Sequence, residues 1–156
     1  MRGAQRGDPA SVDALVRELT PYVGRICGAI ALDDGDDAMQ EAMIAVVRNI
    51  RSLREPAAVR GWVRRIAVRE AVRVARRRAH PVVPPDVPVE DIDLDVALDV
   101  RDVLAALPPD HRAVLVLRDL DGLPEADVAA LLAVPEGTVK SRLHRARAAF
   151  ARRWEQ

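Results

Sequence analysis

Thr138, Lys140, Ser141 and Arg142 stand almost in succession near the start of the segment Glu136 to Arg147, with Arg145 and Arg147 following. Hydroxyls and guanidinium forks at this spacing can hydrogen-bond to base edges and phosphates, and DNA-reading helices insert their N-terminal end into the major groove. The apolar residues alongside show what must position them. Val139, Leu143, Ala146 and Phe150 recur at four, three and four residues, while Val128, Leu131 and Leu132 form a second stripe on Glu125 to Leu132. Ala133 to Pro135 breaks the chain between the two stripes, and Pro135 suits an early position in the second helix, where its missing N–H costs little. Small Ala129 and Ala130 lie where the two helices would approach. The pattern predicts a helix-turn-helix whose second helix turns Lys140, Arg142, His144, Arg145 and Arg147 toward solvent or phosphate.

The remainder of the chain narrows the chemistry. At 156 residues it can form one or two small helical domains, and it is rich in Ala, Leu, Val, Arg and Asp. One Tyr, one Phe and two Trp leave little for a pocket built on aromatic stacking, so no cofactor is expected. The single Cys27 cannot form an internal disulfide, and Cys27, His80, His111 and His144 lack zinc spacing. Neither His111 nor His144 has a nucleophile or carboxylate at motif spacing, which argues against an enzyme. No apolar run approaches the roughly 20 residues that span a bilayer, and the N-terminus lacks the apolar core of a signal peptide. A cytoplasmic protein without membrane insertion is expected.

The net charge of zero conceals strong segregation. Residues 1–82 carry about +5, residues 83–110 about −7 and residues 111–156 about +2. Two basic ends, each suited to a phosphate backbone, thus flank an acidic middle that DNA would repel. Pro81, Pro84, Pro85 and Pro88 exclude regular helix there, which predicts an extended connector over 80–97 and a helix restarting near Asp95 to Asp99 and running to Leu107.

The N-terminal part reads as three or four helices. Asp8-Pro9 predicts an N-cap followed by proline in the first turn, leading into Val12, Leu15, Val16 and Leu19; Pro21 is expected to break or kink that run before Tyr22, Val23, Ile26 and Ile30. The acids Asp33, Asp34, Asp36 and Asp37 lack the alternation and the later Glu of a calcium loop. They suit the start of a helix running through Met39, Met43, Val46, Val47 and Ile50. After a break at Glu55-Pro56, a helix from about Ala58 to Arg78 has an apolar side of Trp62, Val63, Ile66, Ala67, Ala71, Val74 and Ala75. Its remainder is crowded by Arg64, Arg65, Arg69, Arg73, Arg76, Arg77 and Arg78. Seven arginines exceed what solubility requires, and their planar forks suit phosphate or base acceptors.

Asp37-Ala38-Met39-Gln40-Glu41, Trp62-Val63-Arg64-Arg65-Ile66-Ala67, Leu107-Pro108 and Gly137-Thr138-Val139-Lys140-Ser141-Arg142-Leu143 together resemble the extracytoplasmic-function (ECF) sigma factors of the sigma-70 family. The resemblance covers about residues 12 to 153. It implies an all-α chain of two small helical domains, a region 2 domain over 9–79 and a region 4 helix-turn-helix domain over 98–154, joined by the acidic Pro-rich linker 80–97. It further implies a promoter-recognition subunit of RNA polymerase with no catalytic chemistry of its own. On the matching positions, Asp37, Gln40, Glu41 and Arg48 would contact the clamp helices of the polymerase largest subunit. The loop near Arg54 to Arg60 and the arginine-rich helix, with Arg60, Arg65, Arg69, Arg73 and Arg76, would engage the minus-10 element. Thr138, Lys140, Ser141, Arg142 and Arg145 would face the minus-35 element, and the acidic linker would thread toward the RNA exit path. An anti-sigma protein covering both DNA-facing domains is a further partner the resemblance implies.

The chain also departs from the family pattern. Met43 and Val47 stand where aromatics are frequent, and Val68-Arg69-Glu70-Ala71-Val72-Arg73 stands where Arg-Asn-Leu-Ala-x-Asp is frequent. Aromatic and polar side chains help hold unstacked bases, whereas Arg69 and Arg73 add phosphate affinity without sequence discrimination. Two other functions fit parts of the sequence: a stand-alone helix-turn-helix regulator, which leaves Asp37-x-x-Gln40-Glu41 and the linker idle, and a sigma-like interaction protein without promoter melting.

Overall fold

The computed structural model describes residues 1–78 and 100–154, so the linker 80–97 lies outside the described residues. Every regular element among the described residues is helical, and the chain divides into two compact units, Met1–Ala75 and Arg76–Gln156.

The first unit is built on α1 (Arg2–Arg6), α2 (Pro9–Ala31), α3 (Gly35–Asn49) and α4 (Val59–Arg78) as far as Ala75. Asp8 caps α2 as expected: its carboxylate accepts from the Ser11 N–H at 3.0 Å and the Ser11 hydroxyl at 2.5 Å, which holds it below its ordinary pKa. Pro21 does not break the helix; α2 is continuous from Pro9 to Ala31. One proline removes one backbone donor, its ring faces solvent, and the buried row Leu15, Leu19, Val23, Ile26 and Ile30 secures the turns on either side. Asp36 and Asp37 occupy the first turn of α3, where the helix dipole favours them.

The core face of α3 differs from the expected one. Its buried residues are Gly35, Ala38, Ala42 and Val46, with Met39 and Met43 half-buried and Val47 exposed. Small side chains face α2 because the two backbones approach closely: a Cβ on Gly35 would lie 2.8 Å from the Gly28 Cα. Larger residues rotate outward in consequence. In α4, Val63, Ile66, Ala67, Ala71, Val74 and Ala75 are buried as expected, together with Val68, Val72 and Glu70, which were not; Trp62 is only half-buried. The helix packs on α2 through Cys27, whose thiol points to the Ala67 carbonyl at 3.9 Å, and through Arg64, which donates to the Tyr22 hydroxyl at 2.9 Å.

The second unit comprises α5 (Val100–Ala105), α6 (Pro109–Leu115) running into a π turn at Val116–Leu120, α7 (Glu125–Leu132) and α8 (Glu136–Trp154). The described part of α5 ends two residues before Leu107. Its core collects Val103, Leu104 and Leu107, then Ala113 to Leu117, then Val128 and Ala129, and finally Val139, Leu143 and Ala146. The α7 bounds and the start of α8 at Glu136 coincide with the expected ones, and α8 runs on past Arg147 to Trp154. Pro135 stands just ahead of α8 rather than within it, and its carbonyl accepts from the Thr138 and Val139 N–H groups at 2.9 and 3.2 Å. Ala129 is buried at the helix pair, whereas Ala130 is exposed.

Candidate nucleic-acid interface

The turn between α7 and α8 sets the direction of the reading helix. Ala133 adopts the left-handed conformation (φ 54°, ψ 45°) that ends α7, and the Val134 N–H bonds back to the Ala129 carbonyl at 3.1 Å. With Val139, Leu143 and Ala146 pinned in the core, Lys140, Ser141, His144 and Arg145 are exposed and Thr138 is half-buried. These five side chains therefore lie along the first turns of α8, where base and phosphate contacts are made in such motifs.

Two arginines of this helix are engaged by acids of their own unit, Arg142 half-buried and Arg147 still exposed, which corrects the expectation that they face outward freely. Arg142 is half-buried, and its Nη1 lies 3.3 Å from Asp110 Oδ1 in the first turn of α6. Arg147 makes a two-pronged pair with Asp119, Nη2 to Oδ1 at 2.6 Å and Nε to Oδ2 at 2.9 Å. That pair holds the Asp119 carboxyl below, and the Arg147 guanidinium above, their ordinary values. Lys140 lies 3.9 Å from Glu125. His111 is half-buried beside these groups; burial, then Arg142 and Arg145, lower its pKa against the opposing pull of Asp110.

Along α4, Arg60, Arg65, Arg69 and Arg76 are exposed. Arg73 is not among them. Its Nε and Nη2 lie 2.6 and 2.5 Å from Glu70 Oε2, and Nη2 also reaches Glu41 Oε2 at 3.1 Å. Glu70 explains the departure: it is a buried carboxylate, 7% exposed, and needs a cation. Sequence periodicity missed it because a Glu between Arg69 and Ala71 reads as one more surface charge. On α3, Asp37, Gln40, Glu41 and Arg48 are exposed, and Ile44 and Val47 between them are open to solvent at 47% and 37%. Arg54 is exposed in the loop ahead of α4, and Leu53 beside it is buried. No group of metal-binding side chains occurs among the described residues, and no described helix is long and apolar enough to cross a membrane.

Two helical units, one carrying a helix-turn-helix and the other an arginine-lined helix, form the architecture of a transcription initiation factor. The family model described as Sigma-70 region 2 matches residues 12–80, and that described as Sigma-70, region 4 matches residues 97–150. The ECF RNA polymerase sigma factor SigM of Mycobacterium tuberculosis is 40% identical over 153 residues, covering 94% of this chain and 78% of that protein. The ECF RNA polymerase sigma-E factor of Escherichia coli K12 is 32% identical, covering 94% and 87%. In fold, the chain is similar to the sigma factor RpoE in a complex with the anti-sigma factor NepR from Bartonella quintana (TM-score 0.63, 22% identity, 88% and 92% covered). It is also similar to CnrH in a complex with the cytosolic domain of CnrY (TM-score 0.64, 21% identity, 99% and 94% covered). The chain belongs to the ECF sigma factors of the sigma-70 family, and is a sigma factor that binds core RNA polymerase and directs promoter-specific initiation. A stand-alone regulator would leave the region 2 match without a purpose.

Proposed function

We propose a division of labour among the exposed faces. The α3 face of Asp37, Gln40, Glu41 and Arg48 docks on the clamp helices of the polymerase largest subunit. The observation that carries this is the solvent-open pair Ile44 and Val47 set among those polar residues, an apolar centre with a charged rim. Arg60, Arg65, Arg69 and Arg76, with the loop before α4, hold the minus-10 region through its phosphates. Thr138, Lys140, Ser141 and Arg145 read the minus-35 element. Arg142 supports the helix that carries them.

On this reading the domains run over 9–79 and 98–154, with the acidic segment 80–97 as their connector. The chain acts in the cytoplasm, where the polymerase works, and performs no catalysis of its own. An anti-sigma protein that covers the DNA-facing surfaces is the regulatory partner; the similar RpoE structure holds a sigma factor with the anti-sigma factor NepR. The test is run-off transcription by core polymerase on a pool of promoter fragments, with and without this chain. Chain-dependent starts from a subset of templates, lost on combining Gln40→Ala with Glu41→Ala, are the expected result. Unchanged core affinity in that double variant would remove the α3 interface from the proposal.

A further inference from the structure

We propose that Arg73 is a positioning residue that holds the Glu41 carboxylate ready for polymerase, with buried Glu70 as its anchor; this rests on the α3 reading above. Three side chains from two helices form the device. Glu70 is nearly enclosed, and its Oε2 takes both the Nε and the Nη2 of Arg73. Exposed Arg69 approaches the other oxygen at 3.3 Å. Without Arg73, buried Glu70 would keep only the longer contact to exposed Arg69. Arg73 therefore stays in place, and phosphate cannot readily recruit it.

From that fixed position the guanidinium spans to α3. Nη2 meets Glu41 Oε2 at 3.1 Å, while the Glu41 side chain remains 48% exposed. A surface glutamate otherwise samples several rotamers, and fixing one on docking costs side-chain entropy. Arg73 removes part of that loss in advance. The planar fork is essential, because a lysine ammonium is a point charge that cannot serve two carboxylates with the same directionality. Arg73 donates to Glu70 first and to Glu41 after it, and these hydrogen bonds hold the guanidinium above its ordinary pKa. It also accounts for the sequence departure in α4. A carboxylate at position 73 would face both Glu70 and Glu41 with like charge.

The experiment is titration of core RNA polymerase with fluorescently labelled full-length variants. Arg73→Ala is made together with Glu70→Gln, so that no buried charge is uncovered, and is compared with Glu70→Gln alone. Arg73→Lys is the conservative variant that keeps a cation beside Glu70. Thermal melts and minus-35 duplex binding monitor the fold of each. The expected result is a core affinity several-fold weaker for the double variant than for Glu70→Gln, an intermediate loss for Arg73→Lys, and no additional loss when Glu41→Gln is already present. Wild-type affinity in the double variant, or the same loss with Glu41→Gln present as without it, overturns the positioning role. Unchanged affinity in Glu41→Gln alone overturns the α3 docking reading instead, so the two failures are distinguishable.

Discussion

Arg147 and Asp119 tie the reading helix to the π turn by two parallel bonds of 2.6 and 2.9 Å, on a face that is still partly open to solvent. A guanidinium held this way is withdrawn from phosphate. Asp119→Asn should release it, so that the variant binds all duplexes a few-fold more tightly and the slope of log K against log salt steepens by about 0.9. Anisotropy titrations at several salt concentrations, on promoter and scrambled duplexes, check this. An unchanged slope would mean that Arg147 stays out of reach of DNA. Loss of the pair should cost the fold no more than about 1 kcal/mol, since it is largely exposed.

Arg142 and Arg145, three residues apart, should behave in opposite ways. Arg145→Ala should lose about 1–3 kcal/mol of binding on the cognate minus-35 element and little on unrelated DNA, as for a base contact. Arg142→Ala should instead lower the melting temperature of the second unit modestly, because half-buried Asp110 loses its tie to α8 and keeps only Arg76 of the same unit, and should weaken every duplex alike. Competition binding with single-base variants of the element separates the two. A relaxed specificity in Arg142→Ala would return that residue to the groove.

His111 makes the second unit acid-sensitive. Its folded pKa is lowered, so the unfolded chain takes up a proton first as pH falls. The neutral ring's contribution is fully present above the unfolded value of about 6.5 and is lost progressively as pH falls below it. Melts between pH 7.5 and 5.5 should show this decline, and His111→Gln should flatten it. A histidine titration by NMR that placed His111 above the ordinary value of about 6.5 would contradict the sign.

Ala133 occupies a left-handed position that an L side chain adopts at some cost. Ala133→Gly should therefore stabilise the helix-turn-helix by about 0.5–1 kcal/mol, read as a higher denaturant midpoint with an unchanged m-value. A lower midpoint would show that the flexibility gained by the unfolded chain outweighs the relieved strain.

The helix-turn-helix was legible nearly to the residue because local signals agree there: an apolar seam on each helix, a proline just before the second, and basic residues on the outer side. The α4 break at Glu55-Pro56 and the Asp8 cap are of the same local kind. What the sequence could not disclose is non-local. That Arg73, Arg142 and Arg147 each answer to an acid distant in the chain depends on how helices meet, and an arginine read along one helix shows only its outward possibilities. The core face of α3 was misjudged for a related reason. Hydrophobicity ranks Met39 and Val47 above Ala38 and Ala42, but the close approach at Gly28 and Gly35 admits only small side chains. Pro21 does not break α2 because a helix secured by burial tolerates one missing donor, and the π turn after α6 was not anticipated.

Cys27, buried against α4 and carrying the chain's lone thiol, is pushed up to about 12 by its burial first and by nearby Glu70 second. At neutral pH it is neither a thiolate nor reachable, and thiolate is the form that reacts. For a maleimide the native protein is thus effectively cysteine-free. A single cysteine placed at exposed Ser141 or Arg65 will take a dye or spin label alone, so each proposed DNA-facing surface can be watched separately during initiation with the wild-type core left untouched.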